Sequence, residues 1–89
     1  MLRIDVIDRK NSERILHLEG KISGCWVLEL KNLISESLRM KKRIILDFSG
    51  VNFLDEEAMR MLKQFANKGL EMRNGSLFIQ ALLGAKKEA

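Results

Sequence analysis

Three consecutive acidic residues, Asp55, Glu56 and Glu57, form the densest group of reactive side chains in this sequence of 89 residues. Asp55 is a good N-cap residue, and glutamates in a first helical turn are stabilised by the positive end of the helix dipole. Neighbouring helical side chains point about 100° apart, so the two glutamates do not converge on one substrate or one metal ion. The cluster therefore predicts the start of a helix and not a catalytic pair.

The other reactive side chains are too isolated to form a catalytic or metal-binding set. His17 is the single histidine and Cys25 the single cysteine, which excludes an intrachain disulfide. Neither residue has a nucleophile–base partner nearby in the sequence, and the glycines are scattered in place of a phosphate-binding loop. We therefore expect no enzymatic activity, no metal and no cofactor.

The composition predicts one globular domain over residues 1–89, located in the cytoplasm. Hydrophobic residues make up 46% and charged residues 31% of the chain, as in ordinary globular proteins. No stretch approaches the ~20 apolar residues that span a bilayer, and the N-terminus lacks the apolar run of a signal peptide. The net charge of +4 comes largely from clusters at 41–43 and 86–87. Because no basic stripe interleaves with aromatic residues, we do not expect nucleic-acid binding.

Hydrophobic periodicity in the first half of the chain predicts two strands and a helix. Apolar and charged residues alternate at positions 2–6, which is typical of a half-buried strand. After a polar turn, residues 14–19 predict a second strand in an antiparallel hairpin with the first. Apolar residues then recur at spacings of three and four from position 26 to 38, which predicts an amphipathic helix.

The second half continues with a strand and a helix. The apolar run at 43–49 predicts a buried central strand, and Gly50 and Asn52 predict a loop after it. Asp55 begins a second helix, and Gly69 is a natural residue to end it.

The segment after Gly69 allows two interpretations. In one, residues 70–73 form a short strand and 76–83 a third helix; in the other, the second helix continues to position 73 and 76–81 is the strand. Glycine costs about 1 kcal/mol inside a helix relative to alanine, which favours the first interpretation. Residues 84–89 are predicted to fray. The predicted fold is a mixed four-stranded α/β sheet (β-β-α-β-α-β-α) with helices packed mainly on one face.

This order resembles the STAS domain family, and a central motif carries the resemblance. The segment Leu46-Asp-Phe-Ser-Gly-Val51, followed by Phe53-Leu-Asp55, is similar to the family signature. In the family a serine that can be phosphorylated follows the second aspartate, whereas here Glu56 occupies that position.

The resemblance implies a regulatory module of the type of the anti-sigma factor antagonists. Such a protein binds an anti-sigma factor that is also a serine kinase, and phosphorylation of the serine breaks the complex. Glu56 carries one permanent negative charge and cannot be phosphorylated as a serine is. The partner-binding region that the resemblance implies consists of Asp47, Ser49, Asp55, Glu56, Glu57, Met59 and Arg60.

Two alternatives stay open at the level of sequence. The chain also resembles the short STAS accessory subunits of bacterial lipid-transport ABC systems, which dock on an ATPase. A homodimer is a further possibility, because apolar surface near Leu82 and Leu83 could be left uncovered by a short C-terminus.

Overall fold

Four strands and two helices make up the part of the chain that the structure, a computed structural model, describes, namely residues 1–75. Their order is β1 (Leu2–Arg9), β2 (Glu13–Ile22), α1 (Cys25–Arg39), β3 (Arg43–Leu54), α2 (Glu56–Ala66) and β4 (Glu71–Arg73). This order agrees with the prediction over the described range. The predicted third helix at 76–83, the frayed tail at 84–89 and the surface near Leu82 and Leu83 lie outside the described residues.

The strands form one mixed sheet in the order β1-β2-β3-β4. β1 pairs antiparallel with β2, while β2 with β3 and β3 with β4 pair parallel. Parallel neighbours need a long crossover connection, which α1 and α2 supply. The predicted mixed α/β sheet is therefore confirmed.

Both helices bury their apolar stripes in one core with the sheet. The buried cluster includes Leu16, Leu18, Ile44, Leu46 and Phe48 from the strands, Val27, Leu30 and Ile34 from α1, and Ala58, Met61, Leu62 and Phe65 from α2. Each large aliphatic or aromatic side chain that is fully buried stabilises the fold by roughly 1.5–3 kcal/mol. α1 follows β2 and α2 follows β3, and these two strands are parallel. The N-termini of both helices therefore lie at the same end of the sheet, where the two strands finish.

β3 continues beyond the point where the sequence predicts it to end. A loop is predicted at Gly50 and Asn52, but the strand runs to Leu54, which pairs with Ile22 at the end of β2. Gly50 permits this pairing, because a Cβ atom there would lie only 2.6 Å from Cγ of Glu19 on the neighbouring strand. The loop prediction is wrong because glycine here marks a close approach of two strands and not a turn.

The chain after α2 follows the first of the two predicted paths. α2 ends at Ala66, and Glu71–Arg73 forms the edge strand β4 beside β3. Gly69 has a φ of 86°, a left-handed conformation that glycine adopts without strain. The helix itself stops before Gly69, with Asn67 as its C-cap residue.

Candidate docking site at the N-termini of the two helices

Asp55 connects the N-termini of α1 and α2. Its Oδ1 accepts a hydrogen bond from the main-chain N–H of Ala58 at 2.8 Å, which is the predicted N-cap bond. Its Oδ2 accepts one from the N–H of Gly24 at 3.0 Å, and Gly24 is the N-cap residue of α1. Gly24 has a φ of 59°, which a residue with a side chain rarely adopts. Because both oxygens are engaged, Asp55 has a structural role that holds the two helix starts together.

Glu56 and Glu57 follow Asp55 in the first turn of α2 and are exposed. Within residues 1–75, neither carboxylate has a hydrogen bond or an ion pair with another residue. The positive end of the helix dipole favours both charges where they stand. These two glutamates therefore present negative charge to solvent beside Asp55.

A groove of about 250 Å³ runs between α1 and α2 from this end of the molecule. Its lining consists of Gly24, Val27, Leu28 and Lys31 on the α1 side and Glu57, Arg60, Met61 and Gln64 on the α2 side. Each set repeats at i, i+3, i+4 and i+7, which is one face of a helix. Leu28 is 59% exposed although it is a large apolar residue. The groove thus combines apolar surface with charges of both signs.

Asp47 forms a second polar centre, within the β2–β3–β4 part of the sheet. Its Oδ1 accepts hydrogen bonds from the main-chain N–H of Ser49 at 2.9 Å and from Nδ2 of Asn74 at 3.0 Å. Its Oδ2 lies 3.1 Å from Nδ1 of His17, and Nε2 of His17 lies 3.4 Å from a carboxylate oxygen of Glu19. Asp47 therefore ties three strands together through side chains that are distant in the sequence.

The charges of this second centre stabilise one another. Hydrogen bonds from Asn74, from Ser49 and from His17 hold the pKa of Asp47 well below its usual range. The carboxylate of Asp47, and then that of Glu19, raises the pKa of His17 above its ordinary value of 6.5. Both shifts favour an imidazolium–carboxylate pair over the neutral forms.

The predicted partner-binding residues divide between these two places. Glu57 and Arg60 line the groove, and Glu56 lies beside it at the start of α2. Met59 is partly buried and packs against the core. Asp47 and Ser49 belong to the other centre. Asp47 pairs with His17 of β2 and Leu54 pairs with Ile22, so the two ends of this part of β3 are five residues of β2 apart, roughly 16 Å at about 3.3 Å per residue. Asp47 therefore lies in a different part of the molecule from the helix starts that Asp55 holds.

Sequence reasoning missed the contribution of α1 to this surface. Leu28 and Lys31 line the groove, and Leu28 is 59% exposed. Phe53, which is 45% exposed just before Asp55, is a second large apolar residue that periodicity does not mark. An isolated apolar residue outside the helical stripe was the available signal for Leu28.

Neither a metal centre nor a membrane span is found in the part of the chain that the structure describes. Over residues 1–75, no group of three histidine, cysteine, aspartate or glutamate side chains is arranged to hold a metal ion. Within the same range, neither helix has the length and apolar character needed to cross a membrane.

Comparison with known families gives one match across nearly the whole chain. The model of the STAS domain matches residues 4–86. The segment that carries the Asp55 clamp and the groove lies inside this match. Among curated proteins, no sequence matches.

Solved structures with the same fold include two anti-sigma factor antagonists. The antagonist SpoIIAA in its unphosphorylated form aligns with a TM-score of 0.73 and 16% identity, over 90% of this chain and 80% of that one. The STAS domain of an antisigma-factor antagonist from Rhodobacter sphaeroides aligns with a TM-score of 0.60 and 21% identity, over 89% of this chain and 96% of that one. An uncharacterised Shewanella loihica protein with a SpoIIAA-like fold aligns with a TM-score of 0.60 and 11% identity, over 86% of this chain and 69% of that one. At these identities the similarity establishes the fold.

Proposed function

The chain belongs to the STAS domain family, and we propose that it is a non-enzymatic cytoplasmic module that binds a protein partner through the groove between α1 and α2 and the N-terminus of α2. The observation that carries this proposal is the groove itself. It joins an exposed leucine to charged residues on two helices whose starts are fixed by one aspartate. A rigid frame with an apolar strip and a charged rim is the anatomy of a protein-binding surface.

The shape of the groove favours a helical segment of the partner as its occupant. Two parallel rows of side chains at i, i+3, i+4 and i+7 form a trough into which the apolar stripe of an amphipathic helix fits. Leu28 supplies the apolar contact, while Glu57 and Arg60 lie opposite it on α2. These charges would select a partner helix with the complementary charge order along its sides.

The partner that the family resemblance favours is an anti-sigma factor of the serine-kinase type. The two antagonists with the same fold support this class, because both are described by their action on anti-sigma factors. Glu56 stands where the family has its phosphoserine, so phosphorylation cannot switch this module at that position. Because the charge of Glu56 is fixed, partner binding is not switched on and off by phosphorylation at this position.

Charge reversal in the groove tests the proposal directly. The full chain carrying an affinity tag would be used to isolate its partner, identified by mass spectrometry, and binding would then be measured by calorimetry. We expect Glu57→Lys and Arg60→Glu each to weaken binding at least about tenfold, since charged pairs at an interface contribute on the order of 1.5 kcal/mol or more. Each variant is made in an exposed side chain, so the fold is expected to stay intact.

Matched controls use exposed charges outside the groove. Glu36→Lys on α1 and Lys63→Glu on α2 make the same charge changes and should leave the affinity within about twofold of the parent. Equal effects of the groove and control variants would contradict the proposed surface. Recovery of a transporter ATPase as the partner would reject the anti-sigma assignment while keeping the binding surface.

A further inference from the structure

β1 forms one edge of the sheet, and its outer side has no neighbouring strand among residues 1–75. All eight of its residues, Leu2–Arg9, pair with β2 in one unbroken register. The chain has no proline, and no bulge interrupts β1. Proline, bulges and short length are common devices that keep an edge strand from pairing with another chain. β1 uses none of these three, but charged side chains, another such device, occupy four of its eight positions, namely Arg3, Asp5, Asp8 and Arg9.

Large apolar side chains are exposed on both faces of this edge. Val6 is 45% exposed and Ile7 is 48% exposed, and the two residues point to opposite sides of the sheet. Both are β-branched, which suits them to strand pairing. The middle of β1 therefore combines exposed apolar surface with a main chain able to accept a further strand.

Ile7 is also the last member of a row of isoleucines that crosses the sheet. The strand register places Ile7 beside Ile15 of β2, and Ile15 beside Ile45 of β3. Ile45 is 1% exposed, Ile15 is intermediate and Ile7 is 48% exposed. The isoleucine side chains are thus buried in the middle of the sheet and become exposed towards the β1 edge.

We propose that β1 pairs antiparallel with β1 of a second copy of this chain, with the two-fold axis at Ile7. This pairing places Ile7 against Ile7 of the second copy and joins the two isoleucine rows across a continuous sheet. Such an interface is isologous, because each chain contributes the same surface.

The charges of β1 select this register. With the axis at Ile7, Asp5 faces Arg9 of the second copy, and the two-fold axis repeats this contact. With the axis at Val6, Arg3 of one copy would face Arg9 of the other. With the axis at Asp5, the Asp5 side chains of the two copies would face each other. Like charges directly opposite each other destabilise a strand pair, whereas opposite charges stabilise it.

Val6 and Asp8 face each other across the proposed junction. Asp8 does not bring an uncompensated charge there, because its carboxylate already binds Arg14, with Nη2 to Oδ2 at 3.1 Å. The proposed pairing is short and buries less than a standard interface, so it predicts a weak dimer. The inference does not rest on the proposed function, since the groove lies between the helices and the edge belongs to β1.

Sedimentation velocity of the full chain from about 10 μM to about 1 mM, the range of weak association, tests self-pairing. We expect a reversible monomer–dimer equilibrium that weakens as salt rises. Asp5→Arg and Arg9→Asp should each weaken the dimer roughly tenfold or more, because each reversal turns two symmetry-related attractions into repulsions. Ile7→Thr, which keeps a β-branched residue, should weaken it as well.

Mixing the two charge-reversal variants gives the decisive result. In a pair formed by one Asp5→Arg chain and one Arg9→Asp chain, both opposite-charge contacts are restored. The mixture should therefore dimerise like the parent, while each variant alone dimerises more weakly by roughly tenfold or more. The control Lys63→Glu on α2 should dimerise like the parent. A strictly monomeric parent up to about 1 mM, a dimer indifferent to both reversals, or a mixture that fails to associate would each overturn the proposal. Folding of every variant is verified by circular dichroism and urea unfolding.

Discussion

Asp47 and Asp55 are two aspartates of one sequence motif, and the structure gives them different tasks. Asp55 receives N–H groups from the starts of α1 and α2 and so positions the groove. Asp47 receives donors from β3, from the end of β4 and from His17, and so fastens the sheet. Both carboxylates are engaged inside the molecule. The neighbouring Glu56 and Glu57 remain exposed to solvent.

The two aspartates and the neighbouring glutamates show that the carboxylates of one motif can have different roles. Some hold the fold together, and others stay exposed on its surface. A carboxylate has about four acceptor sites on its two oxygens, and hydrogen bonds to both oxygens from within the molecule hold it in one orientation that serves the fold. A carboxylate at a helix N-terminus that has no side-chain or main-chain partner in residues 1–75 keeps its full capacity. Substitutions at the first kind should affect stability, and substitutions at the second kind should affect binding.

The largest stability effect is expected at the Asp55 clamp. Asp55→Ala removes the N-cap bond and the bond to Gly24, and it should lower the free energy of unfolding by about 2–3 kcal/mol. Asp55→Asn keeps one acceptor oxygen but not two, so its loss should be intermediate. Urea unfolding followed by circular dichroism measures both. Glu56→Ala is the matched control, with an expected change within about 0.5 kcal/mol, and equal losses at the two positions would refute the division of roles.

A smaller loss of folding stability is expected when Asp47 is replaced. Asp47→Ala removes an acceptor for Ser49, Asn74 and His17, and it should lower the free energy of unfolding by about 1–2 kcal/mol, since these groups keep partial access to water. Asn74→Ala removes one of these bonds and should cost about 0.5–1 kcal/mol. Partner affinity provides the second readout. If Asp47→Ala weakened binding as strongly as Arg60→Glu does, Asp47 would belong to the contact surface after all.

The smallest effect is a dependence of stability on pH through His17. Its pKa is raised in the folded state, chiefly by Asp47, so the protonated form is favoured by folding. This stabilisation is fully present below the ordinary value of 6.5 and is lost as pH rises through the raised pKa. The measurement is the difference in the free energy of unfolding between the parent and His17→Gln, obtained by urea titration at several pH values. This difference should favour the parent by about 0.5 kcal/mol more at acidic pH than at alkaline pH. A difference that is constant or grows with pH would contradict the pairing with Asp47.

Local sequence patterns determined the elements, because their causes lie within a few residues. The alternation at 2–6, the apolar stripe of α1 and the acidic start of α2 each predict an element that the structure contains. Asp55 was identified as an N-cap for the same reason, since its bond to Ala58 spans three residues. The motif around Asp47 and Asp55 also identified the family, and the family model matches residues 4–86.

Tertiary structure decided everything that depends on residues far apart in the chain. The second bond of Asp55, to Gly24, and the contact of Asp47 with His17 join segments that no periodicity connects. The continuation of β3 to Leu54 follows from pairing with β2, which a glycine permits and which local propensity predicted as a loop. Strand pairing and side-chain hydrogen bonds are satisfied by partners in space. The sequence therefore determined which elements form, and their packing decided which charges are committed to the fold and which stay exposed to solvent.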